Sequence, residues 1–147
     1  MKRMVLLSLA LFLLFSFAGC STAQSSDETD PWGISLSATN VTSTGMSLKC
    51  TQSGGDYTGT LETGADYYLE KKDGNEWTAA ETISDLIFTA IGYTIPLDQT
   101  TTWEINWEFA YGELPAGDYR ICKDIMDFRG AGDYTERTYY AEFSIKD

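Results

Sequence analysis

This 147-residue chain contains no histidine, so the side chains whose types and spacing could do chemistry are first its carboxylates and then its thiols. That absence removes the commonest general base, the usual zinc ligand and both the Ser-His and Cys-His nucleophile pairs. The 22 Asp and Glu residues could in principle supply two acids flanking a glycosidic bond. Glu104 and Glu108 share one face of an alternating stretch, and Asp118, Arg120 and Asp124 share one face of another. So many acids guarantee such coincidences, and exposed strand faces are ordinarily charged, so no catalytic residue is assigned and no enzyme is expected. Asp124, Asp127, Asp133 and Glu136 gather oxygens around a glycine-containing loop, and Ca²⁺ takes roughly six to eight such ligands. Their spacing matches no EF-hand loop, and a solvated acidic loop, paired in part with Arg129 or Arg137, explains them better. No cofactor or metal is expected.

The three thiols are Cys20, Cys50 and Cys122, and Cys20 stands in the most informative context. Met1-Lys2-Arg3 is basic, residues 4–17 are almost unbroken hydrocarbon, and Phe17-Ala18-Gly19-Cys20 ends the run on small residues and a thiol. The run is shorter than the roughly 20 apolar residues a membrane span needs, and its charged start and small-residue end describe an export signal. The ending resembles the lipobox of bacterial lipoproteins, with Phe17 where leucine is usual. The resemblance implies removal of residues 1–19 and a diacylglycerol on Cys20; a plain secretory signal or an uncleaved anchor are the alternatives. A lipidated Cys20 carries at least two acyl chains, enough for stable anchoring where one is marginal.

Residues 20–32 then read as the lipidated N-terminus and a small, polar, acidic tether (STAQSSDETD) closed by Pro31-Trp32, and residues 33–147 as one domain. Without Lys2 and Arg3 the balance is 8 basic against 22 acidic side chains. Such a surface repels phosphate backbones and anionic headgroups, so nucleic acid is excluded as a partner and attachment falls to Cys20.

From Gly33 the pattern is alternation. Ile34, Leu36 and Ala38 alternate with Ser35 and Ser37; Met46, Leu48 and Cys50 with Ser47, Lys49 and Thr51. Residues 65–72 and 76–80 flank Asp73-Gly74-Asn75, a hairpin signal. Residues 82–96 have no clean period, with a strand expected near 88–95. Trp103, Ile105, Trp107 and Phe109 point one way and Glu104, Asn106 and Glu108 the other, which predicts a strand central to the core. Residues 118–124 and 134–146 complete the set, with a loop at 127–133. Seven or eight short strands with turns about every 8 to 12 residues indicate an all-β antiparallel sandwich, and no helix is expected.

The run LPAGDYRICKDIMDFRGAGDY, followed by YYAEFSI, resembles the immunoglobulin-like domains of exported proteins and lipoproteins of Gram-positive bacteria, a similarity that extends upstream through GISLSATNVTSTGMSLKC, YYLEKKDGNEW and TTWEINW. It implies an immunoglobulin-like sandwich and, by itself, no activity. It places Tyr119 as a tyrosine corner, ring in the core and hydroxyl on backbone. It also puts Cys50 and Cys122 on the strands that an immunoglobulin disulfide joins. Parity opposes that bridge, since Cys50 shares a face with Met46 and Leu48 whereas Cys122 falls among Asp118, Arg120 and Asp124. The other reading is one buried small hydrophobe and one half-exposed thiol. Tyr57, Tyr67 or Tyr68, Trp77, Tyr134 and Tyr140 exceed what one inner face holds, and surface aromatics of this kind serve protein or sugar recognition. The sequence therefore predicts a lipid-anchored, non-catalytic module on the extracytoplasmic face, binding or spacing against an envelope protein or glycan. An inhibitor or immunity-type lipoprotein facing a basic secreted protein, and a carboxylate-based hydrolase, are the alternatives.

Overall fold

The computed structural model describes residues 30–147; the expected leader, Cys20 and most of the tether lie outside the described residues. Alternation becomes nine strands: β1 (Ile34–Thr39), β2 (Gly45–Gln52), β3 (Thr60–Gly64), β4 (Tyr68–Asp73), β5 (Glu76–Ala79), β6 (Gly92–Thr94), β7 (Thr100–Asn106), β8 (Gly117–Gly130) and β9 (Asp133–Ile145). One helical turn, α1 (Glu108–Tyr111), follows β7. Strands β1, β2 and β7 make a three-stranded antiparallel sheet, and the others form the second sheet. This is the two-sheet sandwich that the alternation predicts.

Strand β8 organises the second sheet. One of its edges carries β9 along its whole length. The other pairs residues 119–122 with β4 and residues 125–128 with β3. Strands β3 and β4 therefore lie end to end along one edge, separated by a break at residues 65–67, with β6 outside β3 and β5 outside β4. The β4–β5 turn uses Gly74 at φ +61°, a conformation that costs glycine nothing.

Inward side chains form two apolar clusters. Met46, Leu48, Leu69, Trp107, Tyr119, Ile121 and Phe143 belong to one, and Trp32, Ile34, Cys50, Leu61, Ile95 and Ile125 to the other. Burying each large side chain contributes on the order of 1.5–3 kcal/mol. Trp107 and Tyr119 both stack on Phe143, with centroids 5.4 and 5.7 Å apart. The Tyr119 hydroxyl donates to Pro115 O at 2.9 Å, tying the core to the turn that feeds β8.

Four expectations change. Trp32 is buried rather than part of a tether. The Asp30 carboxylate accepts from the Trp32 and Ile34 amides and the Tyr139 hydroxyl, so ordered backbone begins before Gly33. Strand β7 is an edge strand and ends at Asn106; α1 then resets the alternation, leaving Trp107 fully buried and Phe109 75% exposed. The region expected as a loop at 127–133 is mostly strand, with β8 and β9 joined by a two-residue turn at Ala131-Gly132. Strand β3 was not expected, and the strand expected near 88–95 shrinks to β6.

Tyr119→Phe keeps the ring and deletes one hydrogen bond, so urea denaturation should show a loss of about 1 kcal/mol with an unchanged slope. A wild-type midpoint would contradict the tie to Pro115.

Candidate functional site

The inward face of β8 reads Tyr119, Ile121, Lys123, Ile125 and Asp127, all buried. Two of these are charged. A buried ammonium is costly unless hydrogen bonds replace its water, and the break between β3 and β4 supplies them. With no strand partner there, the Gly64 and Asp66 carbonyls turn to Lys123 Nζ, which donates to both, at 2.8 Å for Asp66. The Asp66 carboxylate folds back over Gly64, where a Cβ would lie 2.0 Å from Asp66 Oδ1 and displace that side chain. The Trp103 ring lies 5.8 Å from Nζ. Among the described residues no carboxylate comes within ion-pairing distance of Lys123. Burial pushes its pKa below the ordinary lysine value, with Asp66, Asp124 and Cys50 acting in the opposite direction. The ammonium thus sits between Ile121 in one apolar cluster and Ile125 in the other.

Lys123 lines a cavity of about 510 Å³ that opens beside β7. The Tyr67 hydroxyl donates to Asn106 O at 3.1 Å, and its ring meets Phe88 edge-on at 5.1 Å, closing one side. The β2–β7 ladder defines the other side. Trp107 N–H donates to Thr44 O and Gln52 N–H to Gln99 O, and in an antiparallel pair inter-strand bonds fall on alternate residues. The register therefore spends the main-chain groups of Thr101, Trp103 and Ile105 on β2. Those of Thr102 and Glu104 turn to the open edge, and both residues line the cavity. The rim is apolar: Phe109 and Ile87 are 75% and 80% exposed, and both also line the cavity. Ile83 stands close by, since its amide and the Ser84 hydroxyl donate to Ala110 O and Phe109 O. Clustered apolar side chains of this size on a surface mark interaction sites more often than chance exposure does.

The residues singled out in the sequence fall elsewhere. Glu104 stays on β7 and accepts from the Ser47 hydroxyl at 3.0 Å, whereas Glu108 opens α1, so the shared face is lost. Arg120 pairs with Glu70 and lies between the Trp77 and Tyr140 rings, at 4.7 and 4.1 Å. Asp118 and Asp124 accept instead from Ser144 and Thr138. In the acidic group, Asp127 turns inward and Asp124 outward. Asp127 accepts from the Thr58 and Gly59 amides, the Thr58 hydroxyl and Arg129, which also pairs with Asp133; Glu136 is exposed. Tyr68 and Tyr140 flank Cys122 on neighbouring strands, Tyr134 is 52% exposed and Tyr57 packs against the Trp32 cluster.

Cys50 and Cys122 are free thiols. Cys50 faces the core, while Cys122 lies on the opposite parity of β8 from Ile121. The half-exposed thiol expected at Cys122 is in fact fully buried, because Tyr68 and Tyr140 cover it. Burial pushes Cys50 up to about 11, opposed by Lys123, and Cys122 up to about 12, helped by Glu70. The functional residue that sequence reasoning missed is Lys123. Its signal was parity, since it is in phase with Tyr119, Ile121 and Ile125.

Iodoacetamide should therefore label Cys50 and Cys122 more than about tenfold slower in the native protein than in denaturant, read by peptide mass mapping; a Cys50–Cys122 disulfide in the native map would contradict this. For Asp127, burial disfavours the charge, but the hydrogen bonds from Thr58 and Gly59 and the nearby Arg129 outweigh it and hold the carboxyl below its ordinary value near 3.8. A depressed folded pKa stabilises the fold above the unfolded value, and that stability is lost as pH falls below it and through the folded pKa. Asp127→Asn should flatten the acid limb of stability against pH below about pH 4; an unchanged limb would show that other acids set it.

A family model described as Bacterial Ig-like domain matches residues 30–144. Comparison with curated proteins gives no match, nor does comparison with solved structures. Two antiparallel sheets, the Tyr119 tie to backbone and a match over most of the chain agree: this chain belongs to the bacterial Ig-like domain family.

Proposed function

We propose that the chain is a lipid-anchored, non-catalytic immunoglobulin-like module of the bacterial envelope that binds a partner through the mouth beside β7. A lipid on Cys20 fixes it to the extracytoplasmic face of the membrane, and the short acidic stretch after Cys20 lets the domain reach outward. Membership of the family supports a surface module, and no helix among the described residues is long and apolar enough to cross a membrane. The observation that carries binding rather than spacing is the exposure of Ile87 and Phe109 at the mouth of the cavity beside β7, with Ile83 exposed nearby. A passive spacer gains nothing from keeping such side chains in water.

A second reading, an inhibitor or immunity-type lipoprotein for a basic secreted protein, draws support from the excess of 22 acidic over 10 basic side chains. Charge of that size accelerates association with a basic partner and makes the on-rate fall steeply with salt.

Two measurements test these readings. Intact mass of the membrane fraction should show a diacylglyceryl chain starting at Cys20, absent from Cys20→Ala; an unlipidated mature protein in the medium would refute the anchor. Photo-cross-linking from position 87 on intact cells should capture an envelope component, and Phe109→Asp should cut the yield at least about tenfold, since a buried aromatic contact is worth roughly 1–2 kcal/mol or more at an interface centre. Equal capture by the variant would move the binding face elsewhere.

A further inference from the structure

The cavity combines features that a generic adhesive patch does not need. Lys123 is only 3% exposed; its ammonium uses two of its three donors on the Gly64 and Asp66 carbonyls and has no carboxylate within ion-pairing distance among the described residues. Beside it, Thr102 and Glu104 present outward main-chain donors and acceptors on an open strand edge. Unpaired edges of this kind accept an added strand. The next outward residue along β7, Asn106, already gives its carbonyl to the Tyr67 hydroxyl, so any added strand is short.

We propose that this cavity receives the C-terminal end of an extended peptide, whose main chain adds to the β7 edge and whose terminal carboxylate accepts from Lys123 Nζ. The inference rests on the binding reading above and names the chemistry of its partner. A charge-assisted hydrogen bond to a buried ammonium is among the stronger single contacts available, and here the anion takes the donor that the Gly64 and Asp66 carbonyls leave free, adding a direct ion pair to the more distant charges of Asp66 and Asp124. A chain terminus fits better than an acidic side chain for two reasons. The open edge of β7 presents Thr100, Thr102 and Glu104 outward and stops at Asn106, whose carbonyl is taken by Tyr67, so the peptide ends where the edge does. Asp85 and Glu104 also line the cavity, which penalises segments with several carboxylates and leaves a single one, placed on Lys123, as the anion that gains. The apolar rim at Phe109 and Ile87 takes the side chains that precede the terminus. A volume of about 510 Å³ lies within the range of ligand pockets, about 300–1,000 Å³.

The test uses the full-length protein, purified and immobilised in mild detergent, and N-acetylated tetrapeptides randomised at all four positions, supplied as free acids or as C-terminal amides. Retained peptides are identified by mass spectrometry, and the most enriched sequence is titrated in both forms. Free acids should be enriched, and the amide of the best sequence should bind at least about tenfold more weakly, the loss of one charge-assisted contact. Lys123→Met should abolish binding. Because Lys123 also holds the strand break, Thr102→Pro serves as the independent variant, since the Thr102 side chain makes no hydrogen bond to β2. It removes an edge N–H without touching the β2 ladder, a position where proline is tolerated, and should weaken binding at least about tenfold while circular dichroism and the melting temperature stay near wild type. Equal binding of acid and amide overturns the inference. So does full affinity in either variant, enrichment of nothing in either form, or displacement by acetate at concentrations that match the peptide, which would mark a small-anion site. Retention of amides that Phe109→Asp abolishes would overturn terminal-carboxylate recognition yet leave the mouth standing as a binding face.

Discussion

A single buried ammonium closes the break in the second sheet. Strand β8 needs a continuous partner on the edge away from β9, and the chain offers two short strands with a break between them. A break inside a sheet leaves carbonyls without partners, at a cost comparable to lost hydrogen bonds. Lys123 resolves both deficits at once: the carbonyls of Gly64 and Asp66 gain a donor, and the ammonium gains acceptors that replace its water. The two apolar clusters meet across this polar seam instead of merging, and Trp103 and Leu36 pack against both.

The seam also locates the cavity. Where β3 gives way to β4, the second sheet does not fill the space beneath β7, and Tyr67 reaches from the break to Asn106 to bridge the two sheets. A fold that only had to be stable would fill this space with apolar side chains, because replacing a buried charge with packed hydrophobes is often neutral or stabilising. The charge, the open edge of β7 and the exposed rim lie together on the same side of the sandwich. The acidic residues that first suggest chemistry are instead spent on structure: Asp30 caps the entry to β1, Asp127 holds the start of β3, and Glu70 pins Arg120 between two rings.

Much of the fold was legible because alternation reports a half-buried strand directly. β1, β2 and the first part of β7 follow from Ile34, Leu48 and Trp103 and their polar neighbours, and the β4–β5 turn from Asp73-Gly74-Asn75. Tyr119 was legible through the family resemblance. What escaped was non-local. β3 has only Leu61 and Thr63 to turn inward within five residues, too few to form a pattern. Phe109 continued a period that one helical turn cancels. Trp32 followed a polar tether, and its place comes from residues distant in sequence, Leu61, Ile95, Ile125 and the Tyr139 ring 6.3 Å away. Lys123 was the costliest omission for the site, since a charged residue in a strand reads as solvent-facing until the break opposite it supplies acceptors from nearly 60 residues away in sequence.

The state of that lysine is read directly by ¹³Cε-labelled lysine NMR, with Lys123→Arg to assign the resonance. A buried ammonium held by two carbonyls should give a Cε signal shifted from the surface lysines, exchange its protons slowly, and titrate below the ordinary value near 10.5. A Lys123 signal that overlaps the surface lysines and titrates with them would mean that the side chain is in water. The seam, and with it the chemistry of the cavity, would then be wrong.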